Sequence, residues 1–154
     1  MTADELFRWL TLENLSLTAL QAALHGNEAR TTECNAHVEF QLTPSAVEGA
    51  VPPQFALQTR LTCVGTPVRG VPGIKLFDLE IRALALYRQI GGEGLNATDF
   101  ATHHTVLARQ LFPVLSIRAQ TLLQDLGLHN IRLPMDLPQQ LNQNPPASGP
   151  VVLN

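Results

Sequence analysis

Four strand-like segments followed by one long helix predict an α+β domain, in which strands and helix are separate along the chain and pack as two layers. Between about residues 14 and 90, apolar and polar residues alternate in runs broken by Gly and Pro. From Asp99 onward the apolar spacing lengthens to that of a helix. The chain has 154 residues and no internal repeat, which suits a single domain spanning residues 1–141, with 142–154 as a tail.

The first ten residues carry Leu6, Phe7, Trp9 and Leu10, a set that suits either a short amphipathic helical turn or an irregular apolar arm. Leu15 and Leu17 alternate with Asn14, Ser16 and Thr18 in a weak first strand that runs on to Leu20, Ala22, Ala23 and Leu24 before Gly26-Asn27 breaks it. In the second strand Ala36, Val38, Phe40 and Leu42 share one face and His37, Glu39, Gln41 and Thr43 the other, with Pro44 expected to end it. After Pro52-Pro53, Phe55, Leu57, Thr59, Leu61 and Cys63 alternate with polar partners in a third strand, and Gly65 to Gly73 reads as a long hairpin loop.

The fourth strand sets Phe77, Leu79, Ile81 and Ala83 against Leu76, Asp78, Glu80 and Arg82. Leu84, Leu86 and Ile90 then make the charged face apolar, which predicts a bulge or a second contact surface. Gly91-Gly92-Glu93-Gly94 reads as a hinge, and Thr98 or Asp99 as the N-cap of the helix. From Asp99 to Leu126 a continuous helix would be about 42 Å long, with a kink expected near Leu111 and Phe112 because Pro113 has no N–H to donate. Gly127 is placed to cap it, and a short second helix fits around Gln139 to Leu141. The residues from Asn142 to Asn154, rich in Asn and Pro, read as a mobile tail.

One stripe of the long helix runs through Phe100, Leu107, Leu111, Val114, Leu115, Leu122 and Leu126, while Val106, Phe112, Ile117 and Leu123 spread apolar surface to its other sides. One sheet face cannot cover all of it, so a homo-oligomer is expected, with Val106, Leu107, Leu111, Leu115, Ile117 and Leu122 at the interface. On that placement, an acid at Leu111 or Leu115 would split the assembly. Apolar residues make up 45% of the chain and charged ones 15%, in keeping with surface held for a partner.

Composition also excludes function classes. The net charge is -3 and Lys75 is the only lysine, so the basic footprint of nucleic-acid binding is missing. No apolar run is long enough for a membrane-spanning helix, and Asp4 and Glu5 stand where a signal peptide would be basic; the expected location is cytoplasmic, without direct membrane insertion. Cys34 and Cys63 lack metal or disulfide spacing and read as small apolar core residues. His103 and His104 point about 100 degrees apart on a helix and cannot share a metal at i, i+4, so a solvated or interface role is expected. His37 and Glu39 share a strand face and could do acid-base work, but nothing else converges on them. The glycine cluster lacks the Lys-Ser or Lys-Thr of a phosphate loop, and no nucleophile motif occurs. No enzyme, cofactor or resident metal is expected. The apolar stretches 15–24 and 128–141 are the sequence's own candidates for a peptide groove.

Leu111-Phe112-Pro113, Gly127 fourteen residues later, and Leu133-Pro134-Met135 beyond it follow the four strands in an order that resembles the SecB family of bacterial export chaperones. Asn14-Leu15-Ser16-Leu17 is similar to that family's first strand, and the likeness extends over roughly residues 12–141, through Phe77 to Ile81 and the glycine loop. The resemblance implies a four-stranded antiparallel sheet backed by a long helix and a short second one, assembled as a dimer of dimers. It implies an ATP-independent holdase that keeps unfolded or nascent polypeptides competent for export. Carried over by position, the client groove would be lined by Leu15, Leu17, Leu20, Leu24, Val38, Phe40, Leu42, Leu128, Ile131, Leu133, Met135, Leu137 and Leu141, and SecA would dock at Glu13, Asp78 and Glu80. The chain departs from the family in a loop from Gln21 to Cys34 without aromatic residues, and in Asn14 and Thr18 on the docking face. A SecB-like chaperone dedicated to one client such as an antitoxin, and a non-enzymatic adaptor subunit, stand as alternatives.

Overall fold

The computed structural model describes residues 2–26, 29, 33–69, 73–92, 95–133 and 151–153. The elements in chain order are α1 (Ala3–Trp9), β1 (Leu10–Leu24), β2 (Cys34–Ala46), β3 (Gln54–Pro67), β4 (Phe77–Gln89), α2 (Ala97–Asp125) and β5 (Val151–Leu153). The sheet is antiparallel in the order β1-β4-β3-β2-β5, so the chain crosses from β1 to the far side and returns by the β2-β3-β4 meander. Four long strands, one long helix and one short helix make the expected α+β fold. The described short helix is the N-terminal one, while Gln139 to Leu141 lies outside the described residues.

The N-terminal ambiguity resolves as helix because Thr2 and Glu5 form a reciprocal capping box: the Thr2 hydroxyl accepts from the Glu5 N–H and the Glu5 carboxylate accepts from the Thr2 N–H at 2.7 Å. Strand β1 carries two register shifts against β4, between Leu12 and Asn14 and between Leu17 and Ala19, where Glu13 and Thr18 are the extra residues. Strand β4 itself pairs with β3 without interruption from Phe77 to Arg88, so the irregularity expected on β4 lies on its neighbour. Strand β2 continues through Pro44 to Ala46, past the expected stop. Proline is tolerated there because β2 lies toward the sheet edge, where a missing N–H on the outer side breaks no ladder. Gly65 lies against the Phe77 ring, whose atoms would overlap any β-carbon at that position.

Helix α2 starts two residues before the expected cap. Asn96 accepts from the Asp99 N–H at 2.9 Å and Asp99 accepts from the Asn96 N–H at 3.4 Å, so Asp99 is the third helical residue of a capping box. The helix is continuous through Pro113. At its end Gly127 adopts φ 82°, its N–H donates to Gln124 at 2.9 Å, and that of Leu128 donates to Leu123 at 2.8 Å, the paired bonds of a Schellman cap.

The core lies between α2 and the inner sheet face. Phe40 meets Phe112 edge-on at 5.3 Å, Phe55 stacks on Phe100 at 4.9 Å, and the Tyr87 hydroxyl donates to Gln110 at 3.2 Å. Beyond the cap, the Gln120 side chain donates to the Ile131 carbonyl at 2.6 Å and accepts from the Leu133 N–H at 3.0 Å. One amide thereby fixes the segment from Leu128 to Leu133, whose three apolar residues are all buried. No helix among the described residues is long and apolar enough to cross a membrane.

Candidate polypeptide-binding groove

The leucines of β1 are spaced to lie on one face only if the strand bulges. Leu10 and Leu12 are two apart, then Leu15 comes three later, Leu17 two later and Leu20 three later. Strict alternation would turn Leu15 and Leu17 to the opposite side from Leu12. The extra residues Glu13 and Thr18 restore the phase, and Leu12, Leu15, Leu17, Leu20, Ala22 and Leu24 pair with Tyr87, Ala85, Ala83, Ile81, Leu79 and Phe77 of the buried face of β4. The whole row therefore looks toward the helix layer.

Helix α2 does not cover that row, because it packs on β2, β3 and β4, while α1 packs on the start of β1 and on α2. Leu10 is buried and Leu12, Leu15 and Leu24 pack partly against the core, but Leu17 remains 39% exposed and Leu20 50% exposed. Gln110 reaches Tyr87 on β4 whereas Phe112 reaches Phe40 on β2, which fixes how α2 is rolled. The flank carrying Gln110 bears Val114 one turn on, at 43% exposure. An apolar strip thus runs along β1, with the exposed flank of α2 beside it.

The structure divides the sequence-expected groove residues into three groups. Leu15, Leu17, Leu20 and Leu24 form the strip. Val38, Phe40 and Leu42 are instead core residues beneath α2, and Leu128, Ile131 and Leu133 are buried after the helix cap. These six leave the open groove, because a client could reach them only by lifting α2 or the Gln120-bound segment. Met135, Leu137 and Leu141 lie outside the described residues. Leu12 and Val114 belong beside the strip although sequence reading gave neither that role; the Leu12-to-Leu15 step of three inside a two-residue alternation was the available signal.

The expected oligomer interface also needs correction. Leu107, Leu111 and Leu115 are buried on the sheet side of α2, and Leu122 is partly buried against the same core. An acid at Leu111 or Leu115 would therefore disrupt the fold before any assembly. Ile117 is open, Val106 is partly so, and both point away from the buried stripe with Pro113. The helical phase was legible in sequence; which side met the sheet was not.

The acidic residues expected to dock a partner are engaged within the chain. Asp78 lies 2.5 Å from the His25 imidazole, and Glu13 accepts from the Gln54 amide at 3.1 Å. Glu80 pairs with Arg60 and, at 3.3 Å, with Arg82. Burial alone would raise the Glu80 carboxyl, but hydrogen bonds and charge from Arg60 and Arg82 outweigh it and hold it below the ordinary carboxylate value. The outer sheet face at this point is a neutralised cluster rather than an anionic patch.

Of the titratable candidates, His37 and Glu39 are 3.8 Å apart on the outer face. Among the described residues no three His, Cys, Asp or Glu side chains are grouped for a metal. His104 is buried, contrary to the expected solvated or interface role: its Nδ1–H donates to the Ala101 carbonyl at 2.6 Å, and desolvation holds the ring below its ordinary value. Burial pushes the Cys63 thiol up to about 12, leaving it an apolar core residue, while the partly buried Cys34 lies 3.7 Å from the Ala29 carbonyl.

No protein-family model matches the sequence, and no curated protein matches it. Among solved structures, a SecB-like chaperone of Mycobacterium tuberculosis, in complex with a ChAD peptide from the HigA1 antitoxin, is similar over 86% of this chain and 94% of its own, with a TM-score of 0.67 and 17% sequence identity. At that identity the likeness is one of fold: the four-stranded antiparallel sheet and its helices have the arrangement of a SecB-like chaperone.

Proposed function

We propose that this chain is a SecB-like, ATP-independent chaperone that holds unfolded or nascent polypeptide segments on the apolar strip of β1 beside α2. The observation that carries the reading is the phasing of β1: two bulges keep its leucines on one face, yet the helix leaves Leu17 and Leu20 open. A strand built only for the core would have them covered. Binding is by burial of client side chains at about 25 cal/mol per Å² of apolar surface, so no nucleotide and no covalent step are required. Weak contacts repeated along the strip, and across a homo-oligomer joined through the Val106 and Ile117 side of α2, would add avidity with little sequence preference.

The engagement of Asp78 with His25 and of Glu80 with Arg60 and Arg82 favours a dedicated client or adaptor role over SecA-coupled export. The similar fold solved with an antitoxin peptide adds support to a dedicated client. Client breadth decides. The experiment is suppression of aggregation of several unrelated unfolded proteins without nucleotide, with assembly mass recorded on the same sample. Broad suppression supports a general holdase, whereas inactivity toward all of them refutes the general holdase and favours a dedicated-client chaperone or adaptor.

A further inference from the structure

Strand β2 is a long edge with a short cover. It has thirteen residues, of which Val38, Glu39 and Phe40 pair antiparallel with Leu153, Val152 and Val151. An uncovered edge offers a row of unpaired N–H and C=O groups to any extended chain. The cover comes from the same polypeptide, with seventeen residues between Leu133 and Val151. Extended chain reaches about 3.3–3.6 Å per residue, so a connection of this length easily allows pairing within one molecule.

Direction matters here. Because the pairing is antiparallel, a strand that followed β5 past Leu153 would run along β2 toward Cys34. There it would meet a cavity of about 810 Å³ whose walls include Cys34, Ala36, His37, Ile131 and Arg132. Leu153 pairs with Val38, the neighbour of His37 in that wall, so a strand longer than the three described residues of β5 would run toward the cavity. Val-Val-Leu is uncharged and rich in β-branched residues, the chemistry of a segment that adds to a sheet edge.

We propose that Val151–Leu153 is a built-in occupant of a peptide-binding edge on β2, and that apolar, β-branched segments of client chains add there as an antiparallel strand by displacing it. This rests on the polypeptide-binding function proposed above and adds to it a second binding edge and a competitor within the chain. Three residues of pairing make a weak cover, strong enough to blunt the edge and weak enough to yield to a longer segment continuing into the cavity. Apparent client affinity is then reduced by the fraction of time the edge is covered.

The test compares the full chain with a variant carrying Val151→Gly, Val152→Gly and Leu153→Gly, which keeps the connection length, and with a chain ending at Pro150. Amide hydrogen exchange of Val38, Glu39 and Phe40 reports the edge directly. The probes are the peptide Ser-Gly-Pro-Val-Val-Leu-Asn and a permanently unfolded client, reduced carboxymethylated α-lactalbumin. Expected are faster exchange in both variants at those of the three amides that point away from β3, since alternate N–H groups of β2 donate to β3 and stay protected, restored protection on adding the peptide, and client binding tighter by about fivefold. Unchanged exchange, or client affinity equal to that of the full chain, overturns the proposal. Protection that depends on protein concentration would place the strand on a neighbouring copy and overturn the intramolecular form. Absence of client binding in all three proteins would refute the general holdase reading, whereas equal binding in all three would refute only the competing strand.

Discussion

Replacing Leu17 and Leu20 together with Ser should weaken client binding by about thirtyfold while leaving the fold intact. A leucine side chain taken from full exposure to full burial contributes about 1.5–3 kcal/mol. Leu17 retains 39% of its exposure and Leu20 50%, and that remainder is what a client can cover. The two positions together then supply about 2 kcal/mol, which at about 1.4 kcal/mol per tenfold gives the stated loss. The part already buried costs the fold a similar amount, a fraction of the typical 5–15 kcal/mol of a domain, so circular dichroism and melting should still report a folded protein. The control is Leu84→Ser, the same chemistry on the outer sheet face opposite Ser16. Affinity for reduced carboxymethylated α-lactalbumin is the assay. If the double variant is folded and binds as well as the parent, or if Leu84→Ser is equally damaging, the β1 strip is not the client site.

Three further outcomes follow from the packing. Ile117→Asp should leave the monomer folded and lower the assembly mass measured by light scattering, whereas Leu111→Asp should unfold the chain, because it places a charge in the core with no partner; an unchanged mass for Ile117→Asp would remove the outer side of α2 from the interface. Gln120→Ala deletes both bonds to the segment from Ile131 to Leu133 and should cost about 1–3 kcal/mol in urea unfolding, with faster amide exchange at Leu133. Acid should destabilise the protein in two steps. His104 has a folded-state value below its ordinary 6.5, so the unfolded state binds more protons and stability falls once pH drops beneath 6.5; Glu80, held below its ordinary 4.5, adds a loss beneath 4.5. Stability measured against pH in His104→Leu should lack the first step and keep the second.

The strands were legible because their alternation is local: each inward side chain of β2, β3 and β4 can be assigned by counting in twos from Phe40, Leu61 or Ile81. The helix was equally legible as an element, together with its glycine cap. What counting could not supply was the partner of each face. Leu111 and Ile117 are both apolar helix positions, and only the roll of α2, fixed by Phe112 on Phe40 and Gln110 on Tyr87, sends one into the core and the other outward. The groove suffered in the same way, since Val38 and Leu17 look alike in sequence and differ only in whether α2 lies above them. The acidic residues were located but not their partners, because His25 and Asp78 are fifty-three positions apart in the chain. The pairing of Val151 to Leu153 with β2 left no sequence signal beyond three aliphatic residues after a proline, in a stretch whose composition reads as tail.

The two edges of the sheet pose the same physical problem and meet it differently. A chain that offers apolar surface to others must avoid offering it to itself, and a long flat edge strand is the usual route to self-association. On β1 the register shifts at Glu13 and Thr18 twist and interrupt the edge while keeping every leucine on the inner face, so side-chain binding is retained as backbone pairing is discouraged. On β2 the strand is regular, and a short segment of the same molecule covers its middle instead. If that division of labour is right, deleting Thr18 should straighten β1 while Leu17 and Leu20, then two positions apart, stay on the inner face against Ala83 and Ile81, so that side-chain binding is kept and a longer continuous edge opens. The expected result is a protein that retains client binding and gains concentration-dependent aggregation. A Thr18 deletion that stays monodisperse would show that the bulge is incidental to the edge.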